Sequence, residues 1–223
     1  MRAFAKVLSL ALALSGFLTL LGGSASAQQF SADLLLTNRD GRPERAAGRL
    51  YVGNGIVRIE TPDIRNGRFL VDVKADTAFF VLPAQHVFMD AKQSSRLTQI
   101  FVPVDPESPC GAWQGRAKLA GAADQGGQWR CERRGAEVVG GRAIIKYLVT
   151  SARGETDYAW IDLGLKFPVK FQFADGSGAA LREISQGPQP AALFAVPADY
   201  RKFDPQKLIE QIKQSDVWVD PPK

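Results

Sequence analysis

The chain is short of the side chains on which most catalysis depends. Its 223 residues hold one histidine, His86, and two cysteines, Cys110 and Cys131. A catalytic zinc takes three protein ligands, and no second histidine exists to join the first. No G-x-S-x-G elbow occurs, which removes the α/β-hydrolase nucleophile. After residue 21 no stretch stays apolar for the ~20 residues that a spanning helix needs. An excess of one charge is missing too. The 28 basic and 23 acidic residues are spread along the chain, and a nucleic-acid partner would call for a concentrated basic patch.

What the chain does have begins at its first residues. Arg2 and Lys6 precede an apolar run from Val7 to Leu21, and Ala25-Ser26-Ala27 supplies the small-x-small pattern that a signal peptidase reads. The expectation is a cleaved signal over 1–27, cut between Ala27 and Gln28, and a single periplasmic domain over 28–223. Without Arg2 and Lys6 the net charge falls from +5 to +3. In an exported chain an even pair of cysteines reads as one disulfide, here Cys110–Cys131.

The body of the chain reads as short strands at regular spacing. "ADLLLTN" (32–38), "GRLYV" (48–52), "IVRIE" (56–60), "GRFLVDV" (67–73), "TAFFVL" (77–82) and "HVFMD" (86–90) come first. Asn54-Gly55 suits the positive φ angles of a type I′ hairpin. "PVDPESPCGAW" (103–113), with three prolines, reads as a loop. Strands resume with "QWRCERR" (128–134), "RAIIKYLVT" (142–150), "TDYAWIDL" (156–163), "FPVKFQF" (167–173) and "AALREIS" (179–185). "DPQKLIEQIKQS" (204–215) is the one clear helix, with Asp204 at its N-cap and Pro205 at N1. Several strands, "TAFFVL" and "RAIIKYLV" among them, are apolar on both sides and must be covered on both faces. The fold class that follows is mainly β: a curved antiparallel sheet, an incomplete half-barrel of ten to eleven strands, with a short C-terminal helix and a loop or helix lid.

Each candidate for chemistry has a plainer reading. His86 follows a proline turn and is expected at a solvent-facing turn edge. Glu155 and Asp157 share a strand face in polar surroundings and read as a solvated strand end. Asp105 and Glu107 stand in the proline-rich loop. Arg130, Arg133 and Arg134 suit either an anionic partner or, as the better reading, a charged edge strand that resists sheet-to-sheet aggregation. Trp160 is expected in the core, and Trp218 could cap an open groove.

Several segments, "FSADLLLT", "GRLYVGNGIVRIE", "TAFFVLPAQHVFMD", "DLGLKFPVKFQFADGS" and "LFAVPADYRKFDPQ", taken in order and spacing, resemble the periplasmic lipoprotein-carrier fold of the LolA/LolB type and its DUF4412-like relatives. The resemblance implies a half-open barrel with a helical lid around a cavity for acyl chains. The chain departs from it in lacking the family's long N-terminal helix and in placing 103–127 where lid helices would stand. The function expected is a non-enzymatic, monomeric, cofactor-free periplasmic protein that binds a lipid or a lipidated or apolar segment. Leu35, Phe80, Leu82, Ile145 and Tyr147 are the candidate lining residues. The rival reading is a structural or protein-interaction module of the cell envelope, without a small-molecule cavity and with an envelope protein as partner. A hydrolase finds no constellation to support it.

Overall fold

The computed structural model describes residues 28–39, 45–61, 64, 66–121, 128–207 and 210. The proposed signal segment 1–27, Trp218 and most of the expected C-terminal helix lie outside them. At the start of that helix the Asp204 Oδ1 accepts the backbone N–H groups of Gln206 and Lys207, as an N-cap should.

Twelve strands form one sheet. They are β1 (Phe30–Thr37), β2 (Arg45–Gly53), β3 (Ile56–Glu60), β4 (Arg68–Asp72), β5 (Thr77–Leu82) and β6 (Val87–Asp90), followed by β7 (Arg130–Val139), β8 (Arg142–Thr150), β9 (Thr156–Asp162), β10 (Phe167–Gln172), β11 (Gly178–Gln186) and β12 (Arg201–Lys202). Their order in space is β12-β6-β5-β4-β3-β2-β1-β11-β10-β9-β8-β7, so the sheet is open, with β12 and β7 at its edges. All pairs are antiparallel except β12 with β6. Two helices, α1 (Leu97–Ile100) and α2 (Cys110–Leu119), lie between β6 and β7.

The hairpins follow from turn chemistry. Asn54 and Gly55 have φ of 55° and 83°, the left-handed pair that a type I′ turn requires. The sheet's core face is set by alternation: Phe30, Ala32 and Leu34 of β1 point the same way as Leu50, Val57, Ile59, Ala159 and Leu181 of the neighbouring strands, and all are buried.

Segment 91–121 covers this face. Phe101 stacks on Phe167 at 6.3 Å, and Trp113 meets Phe171 edge-on at 5.7 Å. The Trp113 Nε1–H donates to the Ile100 carbonyl at 3.1 Å. The cover is fixed at its rim as well, where the Val104 N–H donates to the Lys166 carbonyl. The Cys110–Cys131 disulfide, with Cα atoms 5.7 Å apart, ties the start of α2 to edge strand β7.

The opposite, outer face of β2–β6 is covered by the chain after β11. Phe194 lies directly over Gly53, where a Cβ would come within 2.5 Å of the ring. Arg58 Nη1 donates to the Leu193 carbonyl, and the Phe203 N–H donates to the Phe88 carbonyl. The strands that are apolar on both sides are therefore buried twice: Val71 and Ala78 under one cover, Leu70 and Val81 under the other.

Candidate functional site

The five residues expected to line one apolar surface do not share a face. Register places Phe80 opposite Phe69, Phe69 opposite Ile59 and Ile59 opposite Leu50, so Phe80 and its strand-mate Leu82 belong to the core face. Ile145 and Tyr147 belong there too, opposite Ile161 and Ala159. Leu35 stands on the outer face, in a cross-strand row with Ala180, Lys170, Trp160 and Lys146. The reason is period-two alternation: Phe30, Ala32, Leu34 and Leu36 take the core side of β1, leaving Leu35 the other.

The four core-face residues fall into two environments. Ile145 and Tyr147 lie under the cover, and the Tyr147 hydroxyl donates to the Pro106 carbonyl at 2.6 Å. Burial pushes the Tyr147 phenol up from its ordinary range. Phe80 and Leu82 lie toward the other edge, in a more open apolar patch. The Phe80 ring packs on Phe69 at 4.7 Å and stands opposite Met89 of β6. Ile64, 45% exposed, borders the same patch beside Gly67. Phe69, Leu82 and Met89 are half-buried.

The other candidates find local partners. His86 takes a left-handed turn conformation (φ 51°) just before β6. Its Nδ1 lies 2.9 Å from Asp199 Oδ2, and its ring stacks on Tyr200 at 5.1 Å. His86 and Asp199 are both well exposed, and among the described residues no serine or cysteine side chain bonds to the imidazole. The pair fastens the C-terminal cover to the sheet. Among the described residues no cluster of three or more histidine, cysteine or acidic side chains could hold a metal ion. Arg130, Arg133 and Arg134 lie exposed on β7, the free edge, and Arg134 pairs with Glu132 at 2.8 Å.

Asp157 is less solvated than a strand end should be. It is half-buried, burial holds its carboxyl above the ordinary range, and its Oδ1 accepts the Ala174 N–H. Trp160 is not in the core. It stands half-buried on the outer face with Lys146 and Lys170 as its cross-strand neighbours. The alternation of Ala159 and Ile161 inward with Tyr158 and Trp160 outward could have placed it from the sequence.

One further side chain stands out. Arg116 of α2 is only 4% exposed, and its Nε and Nη1 have no hydrogen-bond partner. Burial lowers its pKa, and Asp76 across the cover offsets part of that.

No family model matches the chain, and no curated protein matches its sequence. Solved structures do match its fold. PNGF-II superposes with a TM-score of 0.50 at 12% identity, over 84% of this chain and 34% of that one. This chain thus spans about a third of PNGF-II. MucB superposes with a TM-score of 0.42 at 12% identity, over 78% of this chain and 59% of MucB. A domain from Vibrio parahaemolyticus, provisionally described as an outer membrane lipoprotein-sorting protein, gives 0.35 at 11% identity, over 76% of this chain and 90% of its own. At such identities the likeness is one of fold, and none of these activities carries over.

Proposed function

We propose that the protein is an exported, non-enzymatic binding module of the cell envelope that holds a hydrophobic group, a lipid chain or an apolar or acylated protein segment, against the open part of its core face. The observation that carries this is the patch around Phe80, where Phe69, Leu82 and Met89 remain half-buried beside the exposed Ile64. Contiguous apolar surface of this kind on a soluble domain marks a place where something binds. The Cys110–Cys131 disulfide accords with an oxidising compartment. Each methylene buried there would contribute about 0.8 kcal/mol.

The test has two parts. Native mass spectrometry of the purified protein should find co-purified lipid, and an apolar fluorescent probe should bind. Leu82→Asp, at a half-buried position, should abolish probe binding with folding intact. Phe80→Asp should do the same or unfold the domain, because a buried unpaired carboxylate costs several kcal/mol. Wild-type protein that carries no lipid and binds no probe would defeat the proposal.

A second reading is a protein-interaction module without a small-molecule cavity. It is favoured by the cover itself, since Phe101, Val102 and Trp113 already fill the core face over β8–β11. On that reading no lipid co-purifies, and a pull-down from envelope extract returns a protein that Leu82→Asp releases.

A further inference from the structure

A second candidate site lies on the opposite face of the sheet. β10 pairs with β11 only through Lys170, Phe171 and Gln172, and beyond Ala180 the strand β11 continues beside β1 alone. The β9–β10 register slips between Pro168 and Lys170 at the same place. The split opens a groove of about 1080 Å³ on the outer face. Its floor comes from β8–β10, one wall from residues 135–140 and the other from residues 182–185. Arg142 closes one end by donating to Asp162 Oδ2 at 3.1 Å and to Gln186 Oε1 at 3.4 Å.

The floor carries an unusual charge arrangement. Lys146, Trp160 and Lys170 are direct cross-strand neighbours on β8, β9 and β10. The Lys146 Nζ lies 4.9 Å from the Trp160 ring centroid and 4.2 Å from that of Tyr158, and the Lys170 Nζ lies 4.6 Å from the Trp160 centroid. Among the described residues neither ammonium has a carboxylate within ion-pair distance, whereas Arg39, Arg58, Arg134 and Arg142 each have one. Glu137 and Glu183 line the walls but pair with neither lysine. Two cations thus flank one indole, held by its quadrupole and repelling each other. Ile144, Val169 and Ile184 add apolar surface to a lining that also carries Glu137, Arg142, Arg182 and Glu183. A groove of this size, with apolar side chains beside two convergent ammonium groups, has the character of a small-ligand site.

We propose that this groove binds a phosphate-bearing ligand, with the phosphate between Lys146 and Lys170 at the edge of Trp160 and an apolar remainder along Ile144, Val169 and Ile184. A phosphate monoester carries close to two negative charges at neutral pH and several terminal oxygens, so it accepts from both ammonium groups at once. A single carboxylate neutralises one of them. The site lies across the sheet from the Phe80 patch and does not depend on what binds there. A soluble phosphate monoester and the headgroup of phosphatidic acid share this chemistry.

The test is titration of the purified chain, followed by tryptophan emission, with phenyl phosphate, inorganic phosphate and benzoate at matched ionic strength, and sedimentation with vesicles containing phosphatidic acid. Phenyl phosphate should bind at least tenfold more tightly than benzoate, with a signal that Trp160→Phe removes. Lys146→Gln and Lys170→Gln should each weaken it at least fivefold, while Lys118→Gln on α2 leaves it unchanged. Co-sedimentation that the two groove lysine variants abolish, without binding of phenyl phosphate, assigns the phosphate to a lipid headgroup; the reverse assigns it to a soluble ester. Benzoate binding as well as phenyl phosphate, binding that survives both lysine substitutions, or no binding in any arm would overturn the proposal. Near-ultraviolet circular dichroism of each variant separates lost binding from lost folding.

Discussion

Arg116 is placed at a cost. Its guanidinium is buried on α2 with two nitrogens unbonded, and a buried group left unsatisfied costs about 1–3 kcal/mol. Replacing it by a chain of similar length without the charge should remove that cost. Arg116→Met is therefore expected to raise stability by about 1–3 kcal/mol, read as a higher urea midpoint with an unchanged slope. A loss of stability would show that Arg116 has a partner in solution. Asp157 gives a pH-dependent counterpart. Burial raises its folded-state pKa, and the Ala174 N–H works against that rise. The folded protein therefore keeps this proton to higher pH than the unfolded chain does, and stability falls as pH rises through the window between the two values. Asp157→Asn keeps the Oδ1 acceptor and removes the titration. It should be more stable than wild type at pH 7 and should lose that advantage at about pH 3, where both forms of the aspartate are protonated. Urea midpoints at several pH values check this.

At the scale of elements, the disulfide is the joint between the cover and the sheet. Cys110 begins α2 and Cys131 sits near the start of β7, a strand with one neighbour only. Closing a loop of this length contributes about 3 kcal/mol on the chain-entropy account. Reduction should release protection locally. Amide exchange is expected to quicken in α2 and in the first half of β7, with β1–β5 little changed; uniform quickening would mean that the cover and the sheet unfold as one. The elements also differ in how far the sequence reveals them. The Asn54-Gly55 turn and the strands around it are legible because turn chemistry and alternation are local signals. Asp204 is legible as a cap for the same reason. The helix α2 is not. Pro103, Pro106 and Pro109 crowd its approach, and Gly111 and Gly115 lie within it, so its own propensity is poor. It is held by Trp113, Ala117 and the disulfide, which are tertiary facts. β12 is two residues long and exists only because the C-terminal cover comes to rest beside β6.

For the whole molecule, the two covers explain why strands apolar on both sides can exist in an open sheet. That the sheet needed covering on both faces could be read from "TAFFVL"; which segments supply the covers could not, since both come from distant, irregular parts of the chain. The outer cover depends on Phe194 over Gly53. Phe194→Ala should cost about 3 kcal/mol and expose the outer face of β2–β5, seen as increased binding of an apolar dye before the main unfolding transition. A dye response no larger than that of wild type would place the seal elsewhere. The site residues divided in the same way: alternation fixed which side chains go together within a strand, while the fate of each face waited on the covers.

β1 lies in the middle of the sheet, paired on one side with β2 and on the other with β11, so that Phe30 faces Val52 across one ladder and Gln186 across the other. A ribosome or a translocation channel delivers the chain from its first residue onward. β1 and β2 emerge early as a hairpin, yet the second edge of β1 stays bare until almost the whole sheet has followed. During that interval a largely apolar strand offers an unpaired edge to any neighbour. The distance along the chain between β1 and β11 also sets a slow closing step, because so long a loop must be drawn in before the contact rewards it. For this protein the hazardous moment is thus before the sheet is joined at its centre, and a holding chaperone would have most to protect there.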